Sequence, residues 1–467
     1  MILRVPVVNE SKFPQDVLLE IFNAYRQLHE LQPRYEHVWN SRDGWFKLTH
    51  VCQSWRRLVH LSPSYLHVHL LFTSSRSSSA AMLRRLPPLP ISIDYSNTYL
   101  TSKDVDNALV LIKHRSRVRG ITLHIQYRDG AKFIRALSLP FPKLESLNIC
   151  LDFAKPILPA TFLSNPVPFL QRLTLHGVVP SSILSPILSS ATGLVELSLR
   201  PGYTSHLEPS LLRNLQHLSY LHHLELDLSS QSRVYNFIPP LPSVTGDVVP
   251  WSKLTHLIFK GHILSLESLV VGLAAPSLQH LNAQLYGAPP PHIFPIPHLC
   301  KFICDAECHF TAVCLSLSSA SAHNFCAGTV SQSIDEEPFI NISLPSRISF
   351  KKIGQELSGP LSTVEELNIK RDVCPWELVP NIQPDELRGF FYYLPQLKVV
   401  QIPVRMAYHV THSFQQDNLE DLLPALQQVK FERCARRDGD VKFVCNNFGP
   451  LMAARERAGH PIGLDFS

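Results

Sequence analysis

The chain has 467 residues, 45% of them apolar and only 17% charged, with 38 prolines against 18 glycines and a formal net charge of +5. That length exceeds a single compact core and predicts several domains or one elongated repeat array, and the apolar share excludes generic disorder. So few glycines argue against a nucleotide-binding α/β enzyme with glycine-rich turns, and a balance this weakly basic calls for no nucleic acid.

Residues 1–10 carry a single Arg4, and Pro6 interrupts their short apolar run, so no secretory signal is expected there. No stretch reaches the roughly 18–20 apolar residues that span a bilayer. The 10 cysteines are spread unevenly and do not read as a disulfide framework. These features predict an intracellular protein, cytoplasmic or nuclear, with reduced and mostly buried thiols.

The first predicted element is a helix opening at Pro14, which suits a first helical turn, with Asp16 where the macrodipole favours an anion. Val17, Leu18, Ile21, Phe22 and Tyr25 fall on one face, and the polar stretch 26–44, broken by Pro33 and Gly44, reads as a loop. A second helical stretch places Trp45, Leu48, Val51, Cys52, Trp55, Leu58 and Val59 on one apolar face until Pro63 stops it. Taken as periodicity alone, this is a helical hairpin that buries its own core.

The residue identities add to that reading. Phe13-Pro14-x-Asp16-x-Leu18-Leu19-x-Ile21-Phe22, then Leu48-x-x-Val51-Cys52-x-x-Trp55-Arg56-x-Leu58, resembles the F-box, and Ser62-Pro63-Ser64-Tyr65-Leu66 resembles its tail. The resemblance implies that residues 11–71 dock on the Skp-type adaptor of a cullin–RING ubiquitin ligase. The adaptor-binding residues it implies are Phe13, Pro14, Val17, Leu18, Ile21, Phe22, Leu48, Val51, Cys52, Trp55 and Leu58.

Beyond residue 115 a Leu-x-x-Leu-x-Leu pattern recurs. It begins at Val118, Leu144, Leu170, Leu194, Leu221, Leu254 and Leu278, in steps of 26, 26, 24, 27, 33 and 24 residues. Most steps match leucine-rich repeats, and the longest contains the Ser- and Pro-rich segment 229–250, an expected inserted loop. Weaker copies begin at Leu299, Val364, Leu397 and Leu426. Helical runs such as Leu211, Leu212, Leu215, Leu218 and Leu266, Leu269, Val270, Leu273 lie between them, so each unit reads as strand plus helix. Such units share a continuous core only when stacked. An F-box followed by degenerate leucine-rich repeats resembles the large set of such proteins in mushroom-forming fungi, whose first strand residues 86–93 would supply. The fold expected is α/β, with a small helical F-box over 11–71 and a curved solenoid over 72–467 whose parallel strands line the concave side.

Cys300, Cys304, Cys308, His309 and Cys314 are the densest cysteine cluster, but their spacing is not a standard zinc pattern, and buried thiols are the plainer reading. Most of the 23 histidines stand singly beside leucines, and general-base catalysis needs a pocket and a neighbouring acid rather than a count. No Gly-x-Ser-x-Gly, Walker A or dinucleotide-binding glycine pattern occurs. The basic run at 113–119 lacks interleaved aromatics and reads as a solvated helix end. The sequence therefore predicts no enzyme, cofactor or metal.

Strand side chains alternate, so the positions between the leucines face away from the core. They give Arg172, Thr174, His176; Glu196, Ser198, Arg200; His223, Glu225, Asp227; His256, Ile258, Lys260; and His280, Asn282, Gln284. This set is the expected target-binding surface. The expectation is a substrate receptor joining a Skp-type adaptor, and through it a cullin scaffold, to an unknown protein target. The alternative is a repeat-based interaction protein whose hairpin engages no ligase.

Overall fold

The structure, a computed structural model, describes residues 13–30, 47–62, 70–73, 79–85, 88–96, 100–152, 167–177, 181–201, 214–215, 217–228, 249–271, 273–287, 296–307, 309–318, 339–345, 349–371, 384–414, 422–432 and 438–466. The fold is α/β, and every strand pairing described is parallel. The chain divides into two compact units, residues 1–175 and 176–467.

The first unit opens with a helical hairpin. One helix runs Gln15–Glu30, so it continues past Tyr25 into the stretch expected to be loop. The other is shorter than its apolar periodicity predicts, spanning Gln53–Leu61. The reason is local: Cys52 takes an extended backbone, and its Sγ accepts the Trp55 N–H at 3.3 Å, so it caps the helix instead of continuing it. Arg56 Nε donates to Thr49 O at 2.8 Å and ties the preceding turn to the helix. Phe22, Leu48 and Val59 are buried between the helices, with Phe22 and Trp55 ring centroids 4.7 Å apart. Trp45 and residues 63–66 lie outside the described residues.

Strands β1 (Leu70–Thr73), β2 (Ile91–Tyr95), β3 (Val118–Gln126) and β4 (Ser146–Asp152) follow in neighbouring positions. The segment expected to be the first strand supplies the second, because Leu70–Thr73 already pairs with Ile91–Asp94. Helix Ser102–Ile112 joins β2 to β3 and begins with a capping box, Thr101 and Asp104 each bonding the other's backbone N–H. Strand β5 (Arg172–Gly177) contains the division point between the units.

The second unit holds β6 (Glu196–Pro201), β7 (His223–Asp227), β8 (Val249–Pro250), β9 (His256–His262), β10 (Leu273–Ala274), β11 (His280–Tyr286), β12 (Ala312–Ser318), β13 (Phe339–Pro345), β14 (Glu366–Arg371), β15 (Val399–Pro403), β16 (Gln428–Glu432) and β17 (Gly463–Asp465). The short β8 and β10 pair with each other. The others stand in the order β6-β7-β9-β11-β13-β12-β14-β15-β16-β17. Helices connect most neighbours, among them Ile263–Val270, Pro297–Cys304, Phe350–Glu356, Pro384–Phe391, Ala407–Phe414 and Asp438–Arg457.

The repeat has a longer signature than Leu-x-x-Leu-x-Leu. Three residues before its first leucine stands another buried residue, as in Phe141, Val167, Ala191, Leu218, Trp251, Ala275, Leu361, Leu394 and Leu423. The leucine's N–H donates back to that residue's carbonyl, for instance Leu170 to Val167 at 3.0 Å and Leu254 to Trp251 at 3.0 Å, which closes a turn just ahead of the strand. The residue after the leucine then donates to its counterpart one unit earlier. Gln171 bonds Glu145 O, Gln279 bonds Thr255 O and Lys398 bonds Glu365 O, each at 2.8–2.9 Å. The strand leucines are fully buried.

Another expectation needs correction. Leu299 and Phe302 belong to the helix Pro297–Cys304, not to a strand. Pro297 sits in its first turn, and Leu299, Cys300, Phe302 and Ile303 are buried at helical spacing. The strands there are instead β12 and β13, and they are out of sequence order: β13 lies between β11 and β12.

Candidate functional site

Each of the two expected interaction surfaces lies on residues of one unit, apart from Arg172 and Thr174, which precede the division. On the hairpin, Phe13, Val17, Ile21, Val51 and Leu61 are exposed, by 46, 39, 47, 58 and 70% respectively. Pro14 is exposed beside them, and Leu18, Cys52, Trp55 and Leu58 are half-buried. Phe22 and Leu48 differ from the expected set: both are buried in the hairpin and offer no surface. Val17 and Ile21, one helical turn apart, share a face of the helix Gln15–Glu30.

The second surface is the face of β6, β7, β9 and β11 opposite the buried leucines. Parallel register aligns its side chains in rows. Glu196, His223, His256 and His280 form one row; Ser198, Glu225, Ile258 and Asn282 form the next. Asp227, Lys260 and Gln284 form a third, with Arg200 at its β6 end.

Hydrogen bonds link residues across the second and third rows, and rings stack across the first. Ser198 Oγ donates to Glu225 Oε2 at 2.8 Å and stands 3.4 Å from His176 Nε2. Burial lowers the basicity of His176 and Arg200 lowers it further, while Glu225 and Asp227 oppose them. Arg200 Nε donates to Asp227 Oδ2 at 2.9 Å. Asp227, expected to be exposed, is 5% exposed: it is held beneath Arg200 and is not free to meet a partner. In the histidine row the ring centroids are 5.6 Å apart for His223 and His256 and 4.3 Å for His256 and His280. Thr255 Oγ1 lies 2.9 Å from His256 Nδ1, and Phe339 of β13 meets His280 edge-on at 5.1 Å. The row of Asn282 continues through Asn341, Cys314 and Asn368 on β13, β12 and β14, with Asn341 Nδ2 donating to Asn282 Oδ1 at 3.2 Å.

The serine here donates to the carboxylate and only touches the imidazole. A nucleophile's base would instead have to stand between hydroxyl and acid, so this is not the triad order. Of the cysteine cluster, Cys300 is buried in a helix and Cys314 is on β12, while Cys308 lies outside the described residues. Among the described residues no group of three His, Cys, Asp or Glu side chains is placed to hold a metal ion, and no helix is long and apolar enough to cross a membrane. Sequence reasoning missed the stacking of the histidines and the amide row beyond β11, because both depend on which strands become neighbours.

In comparisons with known proteins, no family model matches the chain and no curated protein matches it.

Proposed function

We propose that this chain is the substrate receptor of a Skp–cullin–RING ubiquitin ligase. The hairpin within residues 11–71 docks on the Skp-type adaptor, and a curved leucine-rich-repeat array formed by the later strands captures a protein target on its concave, outer face. The observation that carries this reading is the accessible apolar strip of Phe13, Val17, Ile21 and Val51 on a hairpin whose own core is already filled by Phe22, Leu48 and Val59. The F-box-like order of those residues supplies the identity of the partner. On this reading the chain does no bond chemistry, and the conjugating enzyme brought by the scaffold transfers the ubiquitin.

The test is co-expression of the full chain with a recombinant Skp-type adaptor. The expected result is a stable complex in size-exclusion chromatography that Val17→Asp with Ile21→Asp dissolves. An intact, monodisperse chain that elutes without the adaptor would overturn the ligase assignment and leave the alternative, a repeat-based interaction protein. Mass-spectrometric identification of partners from native cells names the target.

A further inference from the structure

Building on the reading of the outer face as the target-binding side, we propose that the row His223–His256–His280 receives an acidic polypeptide segment, rich in aspartate and glutamate, and takes up protons as it does so. The three imidazoles come from adjacent strands in register and stack with interplanar angles of 28° and 23°. Neutral rings stack without conflict. Two adjacent imidazoliums at such distances repel by about 1 kcal/mol in water, and by about 3–4 kcal/mol at the effective dielectric of a protein surface.

An arriving carboxylate reverses that balance, because a negative charge within about 4–6 Å favours the protonated ring. Proton uptake and anion binding then strengthen each other by the same factor. The surroundings say where the acidic segment sits. At the β6–β7 end, Glu196 stands beside His223 and Glu225 follows it on the same strand, so carboxylates are already present. Toward β9, β11 and β13 the outward residues nearest the row are, among the described residues, Ile258, Lys260, Asn282 and Phe339: one fixed cation and no carboxylate. A segment bearing its own carboxylates complements the β9–β11 end.

An eight-residue oligo-glutamate peptide is the probe, titrated against the full chain at fixed ionic strength from pH 7.5 to 5.5. Each proton taken up strengthens binding about tenfold per pH unit, so at least a tenfold gain by pH 6 is expected. Calorimetry in two buffers of different ionisation heat should show net proton uptake. His256→Gln with His280→Gln should abolish the gain while leaving thermal unfolding unchanged, and His256→Gln alone should halve the proton uptake or more. Affinity independent of pH would overturn the proposal, as would a gain that survives the double variant. So would a peptide that binds only after Asp335, Glu336 and Glu337, which lie outside the described residues, are neutralised: that would make the chain's own acidic run the occupant. Adaptor binding is assayed on the same preparations. Its loss alone defeats the ligase reading, and loss of the peptide response alone defeats this one.

Discussion

Glu267 sits in the helix Ile263–Val270, 2% exposed, and its two carboxylate oxygens accept the backbone N–H groups of His298 and Leu299 at 3.0 and 2.9 Å. Those donors open the helix Pro297–Cys304, where the macrodipole also favours an anion. Burial outweighs both and pushes the carboxyl from 4.5 to about 7. The folded protein thus prefers the protonated acid. Its contribution to stability is complete below pH 4.5 and is lost as pH rises to about 7, a change of up to about 3 kcal/mol. Glu267→Gln should remove this slope, so urea midpoints measured across that window fall in the wild type and stay level in the variant. Burial likewise pushes the Cys300 thiol well up, with Glu267 adding to it, which explains why a cysteine cluster so conspicuous in sequence supplies no thiolate there. A second prediction concerns charge reversal on the outer face. Arg200 is bonded to buried Asp227, so Arg200→Glu sets two carboxylates against each other and should cost about 1–3 kcal/mol in urea unfolding. Lys260 stands directly beside Asp227 in the same row, so Lys260→Gln, which adds no like charge, should leave stability within about 0.5 kcal/mol, which makes it the cleaner probe of target capture.

The hairpin shows how an apolar face divides between a core and a partner. Periodicity assigns Val17, Ile21 and Phe22 to one stripe, yet only Phe22 turns inward, against Trp55, and the other two remain exposed. Trp55→Ala therefore removes a partner of Phe22 and should lower hairpin stability by about 2–4 kcal/mol in addition to any effect on docking. Val17→Asp with Ile21→Asp touches only the exposed strip and should leave circular dichroism unchanged while abolishing adaptor binding. Loss of helicity in that variant would mean that the strip is core. The Leu299 segment teaches the converse lesson. Leu-x-x-Phe fits a strand template and a helix equally, and Pro297 together with the distant Glu267 carboxylate decides for the helix. No local pattern contains Glu267.

An aromatic cluster packs around β16. Phe431 of β16 packs against Phe448 of the helix Asp438–Arg457 at 5.4 Å and against Phe466 at 5.3 Å. Arg455, 1% exposed, donates from a guanidinium nitrogen to Leu426 O at 2.9 Å. The last strand, β17, spans only Gly463–Asp465 and carries an acidic residue, a short and charged edge of the kind that resists strand addition. Deleting residues 438–467 should uncover β16 as a longer edge and expose the buried Val429 and Phe431, converting a monodisperse protein into soluble oligomers or precipitate in size-exclusion chromatography. An unchanged elution profile would show that the terminal helix is dispensable as a cap.

The α/β class, the parallel strands and the burial of the repeat leucines follow from sequence alone, because a buried position recurring at fixed spacing leaves little choice of face or period. The additional buried residue before most of the repeats escaped notice since it varies from Ala191 to Trp251, and only the turn hydrogen bond unites those positions. Which outward side chains meet could not be read from the chain. His223, His256 and His280 are 33 and 24 residues apart, and they stack only because their strands pair in register. The insertion of β13 between β11 and β12 was equally hidden. Strand periodicity states which face a residue occupies, but pairing order is a property of the assembled sheet, fixed when backbone hydrogen bonds and buried side chains across distant segments are satisfied together.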